Sequence, residues 1–170
     1  MAGLGRHGEQ IESWSGGAYL LCFQETWTAN IIQMKGYYAH ITPAQNVSAF
    51  GRLSGGLATY ISHKSNISAE TIDGAPLNLL VLHLKNLRLQ GRLSHCLLIN
   101  CYFRGQGAEK KDEVGTTIKY MKTLLMKYAN YEVIIAGDLN LRDLGQYHEM
   151  SPVAASFQAL LDQFNLTSFK

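Results

Sequence analysis

Apolar residues in this chain fall into short runs, and the spacing inside each run separates strands from helices. AYLLCF, residues 18–23, is continuously apolar and predicts a strand buried on both faces. YYAHIT (37–42) and GGLATYIS (55–62) predict two more, the second alternating Leu57, Thr59 and Ile61 against Ala58, Tyr60 and Ser62. NISAETID (66–73) carries Ile67, Ala69 and Thr71 in alternation, and the turn DGAP separates it from LNLLVLHL (77–84). SHCLLINCYF (94–103) and YEVIIAG (131–137) complete the strands.

Two segments change period. In EKKDEVGTTIKYMKTLLMKYA, residues 109–129, Val114, Ile118, Met121, Leu124, Leu125 and Tyr128 recur at helical spacing and form one apolar stripe. Gly115 interrupts it at about 1 kcal/mol relative to Ala. SPVAASFQALLDQFN, residues 151–165, predicts a second helix with Ser151 as its cap and Pro152 in its first turn. HGEQIESWSGG (7–17) has room for a short helix through Ile11 and Trp14, stopped by two glycines. Many strands, few helices and no strict βα alternation predict an α/β sandwich of stacked sheets with helices outside.

Composition narrows the class without naming a function. The 170 residues are 46% hydrophobic and 16% charged, with no repeat, linker or charge block, so residues 1–170 read as a single domain with a real core. A net charge of +2 is compatible with a polyanionic partner but argues for none. Cys22, Cys96 and Cys101 lack metal-like spacing and sit in apolar runs, which predicts buried free thiols and a reducing compartment. Residues 1–17 hold no apolar signal core, and no run approaches the ~18 apolar residues of a membrane span. The expectation is a soluble intracellular chain, nuclear or cytoplasmic, with no membrane partner.

Two strands end on carboxylates. LLCFQETW runs into Gln24 and Glu25, and VIIAGDLN runs into Asp138. Strand-end acids are frequent turn formers. Brought together, they also form a pair of hard oxygen donors of the kind that Mg²⁺ takes along with water and phosphate. Both readings stand on spacing alone. No P-loop signature, G-x-S-x-G elbow or H-E-x-x-H occurs, and the glycines of GRLSGGLA lack the following Lys of a phosphate cradle.

The blocks CFQETW, GRLSGGLATYI, LLINCYFRG and VIIAGDLN, in that order, resemble the endonuclease/exonuclease/phosphatase superfamily of deoxyribonuclease-I-like proteins. The phrase GRLSGGLATYIS is most similar to the endonuclease domains of non-LTR retrotransposons, which accompany reverse transcriptases. The resemblance runs from about residue 10 to residue 168. It implies a four-layer α/β sandwich and metal-dependent phosphodiester hydrolysis with Mg²⁺ or Mn²⁺. Position by position, it implies that Glu25 binds metal and that Asp138 activates or orients the attacking water. Asn140 would help position water and phosphate, and Tyr102 would lie near the scissile phosphate. Asn100 would support that strand end or contact substrate, and Arg104 and Arg142 would be the first basic residues to test against a phosphate backbone.

The family's opening W-N-x-N-G strand and closing S-D-H block have no counterpart in these 170 residues. The expected fold is therefore incomplete at both ends, its open strands covered by self-association or by a parent polypeptide. Of the six histidines, His83 reads as a hydrogen-bonded core residue and His148 as a loop residue near the Asp138 block. Three functions stay open: a DNA endonuclease (nickase), an inactive remnant or domesticated domain that binds nucleic acid or protein, and a phosphatase of lipids or small esters. The expectation for this chain is metal-dependent binding of nucleic acid with weak or absent cleavage.

Overall fold

The computed structural model describes residues 17–46, 51, 53–89, 91–103, 108–141 and 151–167, and only the backbone of 108–111. The element order is β1 (Leu20–Gln24), β2 (Tyr37–Thr42), β3 (Gln45–Asn46), β4 (Leu53–Ser54), β5 (Leu57–Ser62), β6 (Ser68–Thr71), β7 (Leu79–Leu89), β8 (Arg92–Tyr102), α1 (Ala108–Lys127), β9 (Glu132–Asp138) and α2 (Pro152–Gln163). Every strand and both long helices expected from periodicity are present. The short pair β3–β4 was not expected, because two-residue strands carry no period. The helix expected within residues 7–17 lies outside the described residues. No helix among those described is long and apolar enough to cross a membrane.

The chain forms two compact units. The first, reaching to Tyr102 and regaining the chain over Tyr131–Asp138, holds all the strands among the described residues. A three-stranded sheet of order β1-β5-β2 is antiparallel throughout. A four-stranded sheet of order β6-β7-β8-β9 is antiparallel except for the parallel pair β8–β9.

These two sheets bury a shared core. Leu57 and Ile61 of β5 meet Leu80, Leu82 and Leu84 of β7 and Cys96 and Leu98 of β8, with Leu20, Cys22 and Ile134 packed against them. Period two puts these positions on the inward faces. At about 1.5–3 kcal/mol for each fully buried large aliphatic side chain, this layer is the main source of cohesion. A register shift between Leu84 and Leu87, with Asn86 at φ 62°, inserts one extra residue and turns odd-numbered Leu87 inward as well.

β5 departs from the expected alternation, since all six of its residues are buried. Its second face is covered by the segment between β1 and β2: Met34 packs on Ala58 and Tyr60, and the Tyr60 hydroxyl donates to the Ile32 carbonyl at 2.7 Å. β1, expected to be buried on both faces, is half-buried along its length because it lies at the edge of its sheet. Cys96 and Cys101 are buried, Cys22 is half-buried, and all three are free thiols.

The second unit contains α1 and α2, which pack on each other. Val114, Ile118, Met121, Leu124 and Leu125 form the buried stripe of α1, while Met126 next to them is 61% exposed. Ser151 caps α2 by accepting from the Ala154 N–H at 3.2 Å, and Pro152 opens the helix. Phe157 of α2 meets Phe103 edge to face at 5.8 Å between centroids.

Leu98→Ala removes a side chain from the shared layer of the sheets and should cost about 2–5 kcal/mol in urea unfolding. Met126→Ala should change the midpoint little, since its side chain is already solvated. Equal losses from the two substitutions would contradict the assignment of the core.

Candidate active site

Backbone contacts govern the loop that carries Glu25. Beyond β1, the Thr26 N–H donates to the Gly56 carbonyl at 3.2 Å and the Trp27 N–H to the Gly55 carbonyl at 3.0 Å. A Cβ on Gly56 would sit 2.4 Å from Thr26 Oγ1 and 3.0 Å from the Ala44 Cβ, and its φ is +86°. Only glycine fits. The two glycines before β5 and the Gln-Glu-Thr segment after β1 are therefore one structural device. Glu25 and Trp27 both stand at φ 51°, a left-handed conformation costing on the order of 1–3 kcal/mol each, which the surrounding backbone bonds hold in place.

A second close approach lies at the end of β9. Gly137 has φ +150°, and a Cβ there would fall 1.8 Å from the Cys101 carbonyl oxygen and 2.8 Å from its carbon. The strands pair in parallel with Cys101 opposite Gly137 and Tyr102 opposite Asp138. The glycine lets β9 press against β8, and the next residue on each strand is a candidate for chemistry.

Between the sheets sits Asn100, with no exposed surface. Its Oδ1 accepts from Gln24 Nε2 at 2.7 Å. Its Nδ2 donates toward the Ala58 carbonyl (3.0 Å), Thr59 Oγ1 (3.2 Å) and the Phe23 carbonyl (3.3 Å). A buried amide with this many partners is a fastener. Of the two roles expected for Asn100, support of the strand end is the one its burial allows. Direct contact with a substrate is not, because no solvent-borne group reaches it.

The Tyr102 hydroxyl donates to Glu25 Oε1 at 2.5 Å. Glu25, Tyr102 and Asp138 are thus gathered at the ends of β1, β8 and β9, with both carboxylates exposed. Asn140 belongs to the second unit, stands at φ 46°, and donates its side-chain amide to the Phe103 carbonyl at 2.8 Å. Arg104, Arg142 and His148 lie outside the described residues. Gln24 was missed as part of the assembly. Its signal was a polar residue at an inward position of an apolar strand, the same signal that marks Asn100.

Burial, and then the neighbouring Cys22 thiol and Asp138 carboxylate, push the Cys101 thiol up to about 12. That keeps the buried thiol protonated at neutral pH and makes it a poor nucleophile. Among the described residues, no cluster of three or more His, Cys, Asp or Glu forms a metal cage. Two solvent-facing carboxylates instead fit a hard ion such as Mg²⁺, which binds through one or two carboxylates and keeps its remaining positions for water and phosphate.

No protein-family model and no curated protein matches the chain. Among solved structures, it is similar to the catalytic domain of APE2 from Xenopus laevis, with a TM-score of 0.65 and 18% identity over 94% of this chain and 63% of that one. It is also similar to the human Nocturnin catalytic domain with bound sulfate anion, at a TM-score of 0.50 and 13% identity over 78% of this chain and 54% of that one. The chain therefore spans less than two thirds of the length of either. These likenesses show the fold: a deoxyribonuclease-I-like α/β architecture.

Gly137→Ala should destabilise the protein by more than about 2 kcal/mol, because the added methyl meets backbone rather than a movable side chain. Gly115→Ala, where nothing lies within 4 Å of a new Cβ, should be neutral or stabilising by up to about 1 kcal/mol. Urea unfolding of the two variants checks this, and a neutral Gly137→Ala would refute the close approach of β9 to β8.

Proposed function

We propose that the chain is a metal-dependent phosphodiester hydrolase acting on nucleic acid. The observation that carries this reading is the hydrogen bond from Tyr102 to Glu25 beside the Tyr102–Asp138 register, which collects three family-marked residues at one set of strand ends. Glu25 would hold a divalent cation, and Asp138 would contribute at the same edge. When bound, the cation supplies positive charge to offset that developing on the phosphoryl oxygens.

The protein's own groups supply the rest. The Asp138 carboxylate, exposed and at the end of a rigid strand, takes or orients a proton of the attacking water. The Tyr102 hydroxyl donates its single proton to the Glu25 carboxylate and so holds it in its present orientation. Asn100, Gln24, Gly56 and Gly137 act by fixing where these side chains begin.

The finer reading is a DNA nickase of non-LTR retrotransposon origin, supported by the phrase GRLSGGLATYIS. The two glycines in that phrase hold the Glu25 loop.

Conversion of supercoiled plasmid to open circle, with Mg²⁺ and with EDTA, tests the proposal alongside DNA binding measured with and without Mg²⁺. Nicking by the wild-type chain, expected to be weak, should require the metal and be lost in Asp138→Ala, and Mg²⁺-dependent DNA binding should be lost in Glu25→Gln. Metal-dependent binding without nicking would favour the domesticated binding domain. Release of phosphate from inositol lipids without action on DNA would move the substrate to the phosphatase branch, and nicking unchanged by either substitution would refute the site.

A further inference from the structure

The outward face of the four-stranded sheet carries a second group of polar side chains. Glu70 of β6 lies directly across from His83 of β7, and the register of β7 with β8 sets His95 diagonally beside His83. His83 Nε2 and His95 Nδ1 are 2.9 Å apart. The Tyr131 ring packs against both imidazoles, with centroids at 4.9 Å from His83 and 5.4 Å from His95. On the far side of the His83 ring, Glu70 Oε2 stands 3.9 Å from Nδ1, and Lys85 Nζ is bound to Glu70 Oε1 at 2.6 Å. All of these residues belong to the first unit.

We propose that His83 and His95 form a binding site for a borderline divalent transition ion, with Zn²⁺ as its representative. Two ring nitrogens of a tetrahedral ion's first shell, each at roughly 2.0–2.1 Å from it, lie about 3.3 Å apart. The observed pair, at 2.9 Å, has to open by only a few tenths of an ångström. The His95 ring is exposed, and a small rotation of it would admit an ion in place of the shared proton. Imidazole suits Zn²⁺, Cu²⁺ and Ni²⁺ rather than Mg²⁺, so this site and the carboxylate site select different ions.

Two further features fit ligation better than a bare hydrogen bond. Glu70 Oε2 stands 3.9 Å from the nitrogen of His83 that would not hold the ion, too far for a hydrogen bond but near enough to add negative charge on the side away from the ion. His83 titrates below its ordinary range because of burial, then the nearby Lys85 and His95 charges, with Glu70 opposing. Its lone pair is therefore available at neutral pH. Lys85 is a cation of this face that opposes a bound ion, and its bond to Glu70 only partly neutralises it. Water completes the shell, and the ion ties β7 to β8.

The test is calorimetric titration of Zn²⁺ into the Glu25→Gln chain, which removes the carboxylate site's own ligand and so isolates this site from it. One saturable event is expected, not displaced by excess Mg²⁺ and accompanied by a rise in Tm. His83→Ala and His95→Ala should each weaken it at least tenfold, Glu70→Gln should weaken it several-fold, and Lys85→Gln should tighten it. His95 is exposed, so its variant keeps the test valid if His83→Ala fails to fold. Absence of saturable binding, or binding unchanged in His95→Ala, would overturn the proposal without touching the nuclease reading. Loss of nicking in Asp138→Ala bears only on the latter.

Discussion

An amide with no access to solvent sets the relative position of the two sheets in the first unit. Asn100 belongs to β8, yet its partners are the carbonyls of Phe23 and Ala58, the hydroxyl of Thr59 and the amide of Gln24, all on the opposing sheet. Apolar packing alone would allow the sheets to slide, because hydrophobic contact is non-directional. Directed hydrogen bonds in a dry layer do not allow it. Leaving such groups unpaired costs about 1–3 kcal/mol each, which penalises any other register. Gln24 and Asn100 immediately precede the segments bearing Glu25 and Tyr102, so the fastener lies beneath the candidate site.

From that point outward, the site is assembled by backbone proximity. Gly56 lets the Glu25 loop lie on the approach to β5, and Gly137 lets β9 lie on β8. In both places a side chain would collide with neighbouring atoms. The carboxylates at the strand ends remain exposed while the layer below them is sealed by leucines and by protonated thiols. That division keeps the edge bearing the carboxylates polar and the support dry.

Much of this was legible in the sequence. Periodicity located the strands of the two main sheets and both helices, because each runs long enough to show its repeat, and the Ser151 cap and its proline were readable as local chemistry. The pairing of Tyr102 with Asp138 could be reached only through the ordered motif blocks, since the sequence carries no direct record of strand register. What stayed hidden has physical reasons. β3 and β4 are too short to have a period. The second covered face of β5 arises from a loop without regular structure, and a bulge at Asn86 reverses the phase of β7 partway along. The His83–His95 contact depends on that same register. From sequence, His83 was read as a hydrogen-bonded core residue; it is hydrogen-bonded but only partly buried, on the face of the sheet away from the shared core, and its partner on β8 could not be named.

Diffraction from crystals soaked in Mn²⁺, with anomalous data, tests the central idea most directly. Convergence of the β1, β8 and β9 strand ends predicts one manganese peak at that edge, ligated by a Glu25 oxygen and joined to Asp138 directly or through one water. A peak elsewhere, or these two carboxylates in separate solvent regions with no shared ion, would contradict it.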